Sequence, residues 1–245
     1  MQRLPFFTRF LLPLVPVAGI LFALDHAGID PLVTSWFFDA QSGGFPWRYN
    51  GFVEVVLHHW AKYLVVLVAV AAIAGYLMSF LAPPSQPALH SSRPLYLFVA
   101  LALTLAPLTI AAMKFFSLRH CPWDVAGFGG FVPYVSLLET YPAGIAAGRC
   151  FPAGHASTGF CLLAFYFVGR ALGNPRLAYA GLALGLFAGL GLGLVRIMQG
   201  AHFASHVLWS GVVCWAVIVV LYGLIIEPYH EARPVKSTMG TTRTA

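Results

Sequence analysis

Six apolar stretches alternate with polar gaps along this chain, and each is long enough, or nearly so, to cross a bilayer. A helix needs about 20 apolar residues to span the hydrocarbon core. The pattern therefore predicts an all-α, polytopic membrane protein with six transmembrane helices. A cleaved signal peptide is the alternative for the first stretch, which is short and contains Pro13 and Pro16. The stretches run approximately over Phe10 to Leu24, Ala61 to Leu81, Pro94 to Met113, His155 to Gly169, Ala178 to Val195 and Val207 to Ile226.

Two of the gaps are long, Asp25 to Trp60 and Lys114 to Gly154, and the alternation of spans puts both on one side. Eight Lys and Arg fall on the side of the N-terminus and six on the other. Because cytoplasmic loops collect basic residues, we expect cytoplasmic termini and a periplasmic working face in a bacterial inner membrane. Residues 1–229 are predicted to form one transmembrane domain, with its motifs within about 50–226, and residues 230–245 a disordered cytoplasmic tail.

Composition excludes several other classes of protein. Apolar residues make up 59% of the 245 residues and charged residues only 9%, against about 25% charged in soluble domains. A soluble enzyme and a disordered chain are therefore disfavoured. The net charge of +6 does not indicate a nucleic-acid partner, because the basic residues lie in gaps and three loops rather than in one basic stripe.

Four glycines recur at every fourth position of the fifth stretch and therefore line one face of a helix. Small residues at this spacing let helix backbones approach closely in lipid. We expect this face to pack against another helix and to bind no ligand. The glycines are Gly181, Gly185, Gly189 and Gly193.

Charged and imidazole side chains concentrate in three short segments at the outer helix ends. The segments are Lys114 to Asp124, Cys150 to Ser157 and Arg196 to His206. Taken alone, any one of them could consist of side chains that reach from the bilayer to the interface, or of polar groups that have partners within the protein. Because such groups are costly to desolvate at a membrane boundary, three segments on one face indicate a functional site.

The residue types in these segments suit a phosphate group. Gly154 precedes a long apolar run, so its backbone N–H points out of a helix N-terminus, where anions bind. Lys114 and Arg196 supply positive charge for the non-bridging oxygens. Two histidines, His155 and His202, could then share phosphoryl transfer, one attacking phosphorus and the other protonating the leaving oxygen.

Together the segments resemble the signature of the type 2 phosphatidic acid phosphatase superfamily, whose site is similar to that of vanadium haloperoxidases. The signature reads Lys-x6-Arg-Pro, then Pro-Ser-Gly-His, then Ser-Arg-x5-His-x3-Asp. The resemblance implies no metal and no cofactor. It implies Lys114 and Arg196 as phosphate ligands, Gly154 as a backbone donor, His155 as the general acid and His202 as the nucleophile that forms a phosphohistidine.

Four positions depart from this signature. Arg119 or Arg149 could restore the positive charge of the missing arginine. A neutral His206, four residues after His202 on the same helical face, could accept the ring N–H that the family's aspartate accepts. The departures are Cys121 for the arginine before Pro122, Ala153 for a serine, Val195 for the serine before Arg196, and His206 for the aspartate.

The four cysteines fall into two groups. Cys121 and Cys150 lie in the outer loop and could form a disulfide, which an oxidising periplasm permits; two unrelated thiols are the alternative. Closing a loop of this size would stabilise the fold by roughly 3 to 4 kcal/mol on the chain-entropy model. Cys161 and Cys214 lie within apolar stretches and are expected to be small buried core residues.

We therefore expect a membrane phosphatase or phosphotransferase that acts on a lipid-linked phosphomonoester or diphosphate. Two other classes stay open. His202 and His206 could share zinc, with His155 or His120 as a third ligand, in a metal-dependent hydrolase. Alternatively, the same cations could bind an anionic headgroup in a non-catalytic transporter or scaffold.

Overall fold

The computed structural model describes residues 5–51 and 60–231, and the prediction of a disordered tail falls largely outside them. The chain is all-helical, which confirms the predicted fold class. The helices are α1 (Phe6–Leu11), α2 (Leu14–His26), α3 (Ile29–Ser35), α4 (Ala61–Leu81), α5 (Pro87–Ser91), α6 (Arg93–Phe116), α7 (Gly154–Phe160), α8 (Ala164–Ala171), α9 (Pro175–Met198), α10 (Ala204–Ile225) and α11 (Glu227–Glu231).

Within the described residues, five helices are long and apolar enough to cross a membrane. The first comprises α1 and α2, and the last comprises α10 and the start of α11. This is a multi-pass membrane protein. The five run over Phe6–His26, Ala61–Leu81, Arg93–Phe116, Pro175–Met198 and Ala204–Tyr229.

The fourth predicted span is not one continuous helix. It consists of α7, a 3₁₀ turn at Cys161–Leu163 and α8. Most of its side chains are buried in the main core, where α7 and α8 pack along α9. A segment that is enclosed by other helices can cross a membrane without the length of a lipid-facing span. Because length and hydropathy do not mark this segment as a span, the six-span topology stays a prediction.

The predicted packing role of the four α9 glycines is confirmed. All four are buried. A Cβ on Gly181 would overlap the main chain at Phe165, and a Cβ on Gly185 would overlap Leu163. A Cβ on Gly189 would overlap the ring of Phe160, and a Cβ on Gly193 would overlap the side chain of Val207. The absence of side chains along this stripe lets the broken α7–α8 segment lie directly against α9.

The two long gaps pack against each other at one end of the bundle, as the topology predicts. A second hydrophobic cluster contains Phe45 from the first gap, Val125, Phe128 and Val132 from the second, and Phe203 from the start of α10. Gly129 approaches the carbonyl oxygen of Gly43 so closely that a side chain there would clash. The cluster holds both gaps over the ends of α6, α9 and α10, where the three polar segments lie.

The close packing of the α9 glycines predicts different effects on stability for two neighbouring substitutions in this helix. Gly189→Ala should lower the free energy of unfolding by about 1–3 kcal/mol, because the new methyl group overlaps the buried Phe160 ring. Gly191→Ala should be neutral or slightly stabilising, because a Cβ at Gly191 meets nothing within 4 Å and alanine favours the helix. Thermal unfolding of both variants in detergent measures the difference, and equal melting temperatures would contradict the packing role.

Candidate active site

A disulfide between Cys121 and Cys150 joins the first two polar segments, as predicted. Their Cα atoms lie 5.3 Å apart and the residues are separated by 29 positions in sequence. The main chain reinforces the link, since the Cys150 N–H donates to the Arg119 carbonyl at 2.8 Å. Cys161 and Cys214 are free and buried in the core, which is also as predicted.

His202 lies beneath this disulfide, in the turn between α9 and α10, and only 1% of it is exposed. Its Nδ1 atom is 3.5 Å from the sulfur of Cys150. Nδ1 therefore faces the disulfide, and Nε2 is the nitrogen left to meet a substrate.

Four predicted site residues surround this imidazole closely enough to act on its charge. They are His206, Lys114, Arg196 and His155. Burial lowers the pKa of His202 well below its ordinary value, and the neighbouring positive groups lower it further. The ring is therefore neutral at pH 7, the form in which an imidazole nitrogen can attack phosphorus.

Lys114 and Arg196 come to the site from the ends of two long helices. Lys114 lies in the last turn of α6 and Arg196 in the last turn of α9, both half-buried and near enough to repel each other. The guanidinium Nη1 of Arg196 donates to Oε1 of Gln199 at 2.7 Å. Gln199 is 1% exposed, and sequence reasoning missed it although its i+3 spacing from Arg196 was a usable signal.

The second segment is fixed to α10 by main-chain contacts. The Ala153 N–H donates to the His206 carbonyl at 3.1 Å, and the Ser210 hydroxyl donates to the Ala153 carbonyl at 3.0 Å. These bonds place Gly154 and His155 at the start of α7, beside His202. No atom lies within 4 Å of a Cβ built on Gly154, so its backbone borders open space.

The two extra arginines occupy different surroundings. The Arg119 guanidinium donates to the carbonyls of Val135 at 3.2 Å and Leu137 at 2.9 Å, and also to that of Glu139. Arg119 thus stabilises the fold of the second gap and lies near His206. Arg149 is exposed and lies over the Phe115 ring, 4.7 Å from its centre. A phosphate contact by either residue stays a prediction.

His206 lies next to His202 but makes different contacts from those expected of the family's aspartate. The ring centres are 5.9 Å apart, edge to face. The sulfur of Cys150 lies at the Nδ1 atom of His202, and the His206 ring reaches the main chain of Cys150. Both imidazoles therefore meet at Cys150, and this shared contact was not foreseen from the sequence.

The ligand atoms of Cys150, His202 and His206 lie within 4.8 Å of one another, a grouping that could hold a metal ion. Zinc binds cysteine as the thiolate. The disulfide uses the Cys150 sulfur, so this grouping offers only two imidazoles while the bond is intact. The third ligands considered from the sequence, His155 and His120, are not part of it.

Two buried carboxyl groups beside His206 were missed altogether. Asp25 ends α2 and Asp30 begins α3, and they are 5% and 3% exposed. Asp30 accepts from the backbone N–H of Ser205, next to His206, at 2.8 Å. In the sequence these two acids only follow an apolar stretch. No local pattern connects Asp30 with Ser205, which lies 175 positions further along the chain.

Comparison with known proteins agrees with this site. A profile of the PAP2 superfamily matches residues 95–227, which include all three polar segments, and the chain belongs to this superfamily. It is 26% identical over 212 residues to a lipid A 4'-phosphatase of Francisella tularensis subsp. novicida (strain U112), covering 84% of this chain and 90% of that protein. No solved structure matches it significantly. The chain is thus a membrane lipid phosphatase, a hydrolase of phosphoric esters.

The disulfide predicts a response to reductant. Reduction should lower the free energy of unfolding by roughly 3 to 4 kcal/mol and reduce activity, because Cys150 contacts His202. The double variant Cys121→Ser, Cys150→Ser should behave like reduced protein and show no further response. Thiol counting in denatured protein isolated without reductant should find two reactive thiols, and a count of four would rule out the bond.

The lowered pKa of His202 predicts the acid side of the pH profile. A depressed pKa keeps the ring neutral as the pH falls through 6.5, so kcat/KM should not yet decline there. Lys114→Gln removes one neighbouring positive charge and should move the acid limb upward, on top of its loss of rate. Initial rates with a soluble aryl phosphate from pH 4 to 9 test this, and a half-maximal rate near 6.5 in the wild type would contradict it.

Proposed function

We propose that this protein hydrolyses a lipid-linked phosphomonoester or diphosphate through a phosphohistidine on His202. The observation that carries the proposal is the convergence of Lys114, Arg196 and His155 on the neutral, buried imidazole of His202. Two fixed cations can hold the phosphoryl oxygens, and two imidazoles provide a nucleophile and an acid.

In the first step Nε2 of His202 attacks phosphorus, forming an N–P bond as the P–O bond to the leaving group breaks, which is an ester bond in a monophosphate and an anhydride bond in a diphosphate. His155 gives its proton to the leaving oxygen, so the lipid departs as an alcohol or a monophosphate. Lys114 and Arg196 hold the equatorial oxygens, and the Gly154 N–H adds a neutral donor.

In the second step a water molecule gives a proton to His155 and attacks the phosphohistidine. The N–P bond breaks, inorganic phosphate leaves, and both histidines return to their starting states. If an alcohol takes the place of this water, the same intermediate leads to phosphate transfer instead.

The first substrate to test is a lipid A phosphate, because the Francisella protein that matches 84% of this chain is a lipid A 4'-phosphatase. Undecaprenyl diphosphate, phosphatidylglycerol phosphate and phosphatidic acid present the same group and complete the panel. Phosphate release from each lipid by purified protein in detergent identifies the preferred class.

We further propose that the site faces the periplasm of a bacterial inner membrane and that both termini are cytoplasmic. The basic residues favour this orientation, and a disulfide within the working face suits an oxidising compartment. Labelling of single introduced cysteines with a membrane-impermeant reagent would test the orientation.

The proposed roles predict separable defects at the two histidines. His202→Ala should abolish phosphate release from every lipid, because it removes the nitrogen that forms the N–P bond in this mechanism. His155→Ala should slow the first step strongly on lipids but little on an aryl phosphate, whose good leaving group needs little protonation. The aryl alcohol should therefore still appear in a rapid burst, while the later breakdown of the intermediate is slow on both substrates. His90 lies in α5, next to the start of α6, whereas Lys114 lies in the last turn of α6. His90→Ala is therefore the matched control and should release phosphate at the wild-type rate.

Two results would overturn these roles. Retention of more than a small fraction of activity in folded His202→Ala would exclude this residue as the nucleophile. Equal slowing of the first step on lipid and aryl substrates in His155→Ala would exclude the acid role. Binding of anionic lipid without any turnover in the wild type would instead support the transporter or scaffold.

A further inference from the structure

Asp25 and Asp30 form a buried acidic pair at the outer end of the bundle. The Tyr134 hydroxyl donates to Oδ1 of Asp25 at 2.9 Å, and the Leu137 N–H donates to Oδ2 at 2.6 Å. Ser205 donates to Asp30 from its backbone N–H and from its hydroxyl. All four carboxyl oxygens therefore have partners, and these partners tie the first gap to the second gap and to α10.

The two carboxyl groups also lie within hydrogen-bonding reach of each other. Burial, with a smaller contribution from the neighbouring Asp25, raises the pKa of Asp30 to about 6. The pair therefore places negative charge beside α10.

His206 faces this pair across a small cavity. The ring is 4% exposed, and among the described residues its Nδ1 atom has no hydrogen-bond partner. A buried nitrogen without a partner is costly. The cavity has a volume of about 10 Å³ and is lined by Asp25, Asp30, Tyr134 and His206, among others.

That volume is close to what one water molecule needs, and the wall carries enough polar groups to bind it. A water there can donate one hydrogen to Nδ1 of His206 and the other to a carboxylate oxygen. Its oxygen can accept from the other donors of the wall. The remaining charged or titratable groups that face the ring are Arg119, His120, Tyr141, His202 and Lys114.

We propose that Asp30, together with Asp25, is a positioning residue for phosphoryl transfer, holding the His206 ring through a buried water so that His206 and Cys150 fix the ring of His202. The inference rests on the proposed function. It gives the site an acidic group in place of the aspartate that this chain lacks at position 206. The negative charge comes from the first gap and acts through His206.

The alternative is that Asp30 serves only as a cap for α10. Asparagine caps a helix about as well as aspartate and has the same shape, so Asp30→Asn keeps the cap and removes the charge. If Asp30 only caps the helix, this variant should work like the wild type. If Asp30 positions His206, kcat should fall by about 10-fold to 100-fold, with KM changed less than twofold.

The experiment measures kcat and KM of Asp30→Asn and Asp25→Asn, with Asp39→Asn as the control. Asp39 belongs to the same gap but caps an outer turn through Gln41 and Ser42, away from His206. Asp25→Asn should show a smaller loss of kcat than Asp30→Asn. It also keeps the test decisive if Asp30→Asn does not fold, and full kcat in the folded Asp variants would overturn the proposal.

A second arm repeats Asp30→Asn in a His206→Asp background. There the aspartate at 206 can accept from His202 directly, so the loss of Asp30 should cost less than twofold or even raise kcat by relieving repulsion. A merely structural role predicts the same fold-loss in both backgrounds, and that result would overturn the proposal.

A readout independent of turnover separates this proposal from the proposed function. In protein with ¹⁵N-labelled histidine, the His206 Nδ1 resonance, assigned by its loss in His206→Asp, should shift in Asp30→Asn and stay in place in Asp39→Asn. An unchanged resonance in Asp30→Asn refutes the positioning role even if lipids are hydrolysed. Absence of phosphate release, with the resonance shifted, refutes the function alone.

Discussion

The cost of burying charge in an apolar bundle governs how this site is built. A buried ion costs several kcal/mol unless partners compensate. The carboxyl groups of Asp25 and Asp30 are accordingly hydrogen-bonded by Tyr134, Leu137 and Ser205. Lys114 and Arg196, by contrast, are two half-buried cations that lie close enough to repel each other. An anionic substrate can neutralise their positive charge. The repulsion between these two cations thus favours the binding of phosphate.

Three of the four departures from the family signature are explained by their surroundings, and nothing in the structure explains Val195. Cys121 replaces an arginine, and its disulfide to Cys150 holds the first two segments together covalently where the family has a further cation. His206 replaces an aspartate, and a buried carboxyl pair lies directly behind it. Ala153 replaces a serine at a fully buried position. The site has exchanged polar contacts with the substrate for internal links between its own segments.

Much of the fold and of the site could be predicted from the sequence, because the relevant signals are local. Apolar stretches long enough for a bilayer mark the five spanning helices, and glycines at every fourth residue mark the face of α9. The broken segment at Cys161–Leu163 was not predictable, because it depends on contacts with α9 rather than on its own hydropathy. The carboxyl of Asp30 reaches Ser205 across 175 positions, and the contact of Cys150 with His202 joins residues 52 positions apart.

The central claim is that His202 carries the phosphoryl group. The direct measurement is rapid quenching of His155→Ala with an aryl phosphate, a variant expected to form the intermediate but to break it down slowly, followed by peptide mass spectrometry under alkaline conditions that preserve phosphohistidine. We expect the phosphoryl adduct on the peptide containing His202, at that residue, and none in the double variant with His202→Ala. An adduct on another residue, or turnover by His155→Ala without any adduct, would contradict the mechanism.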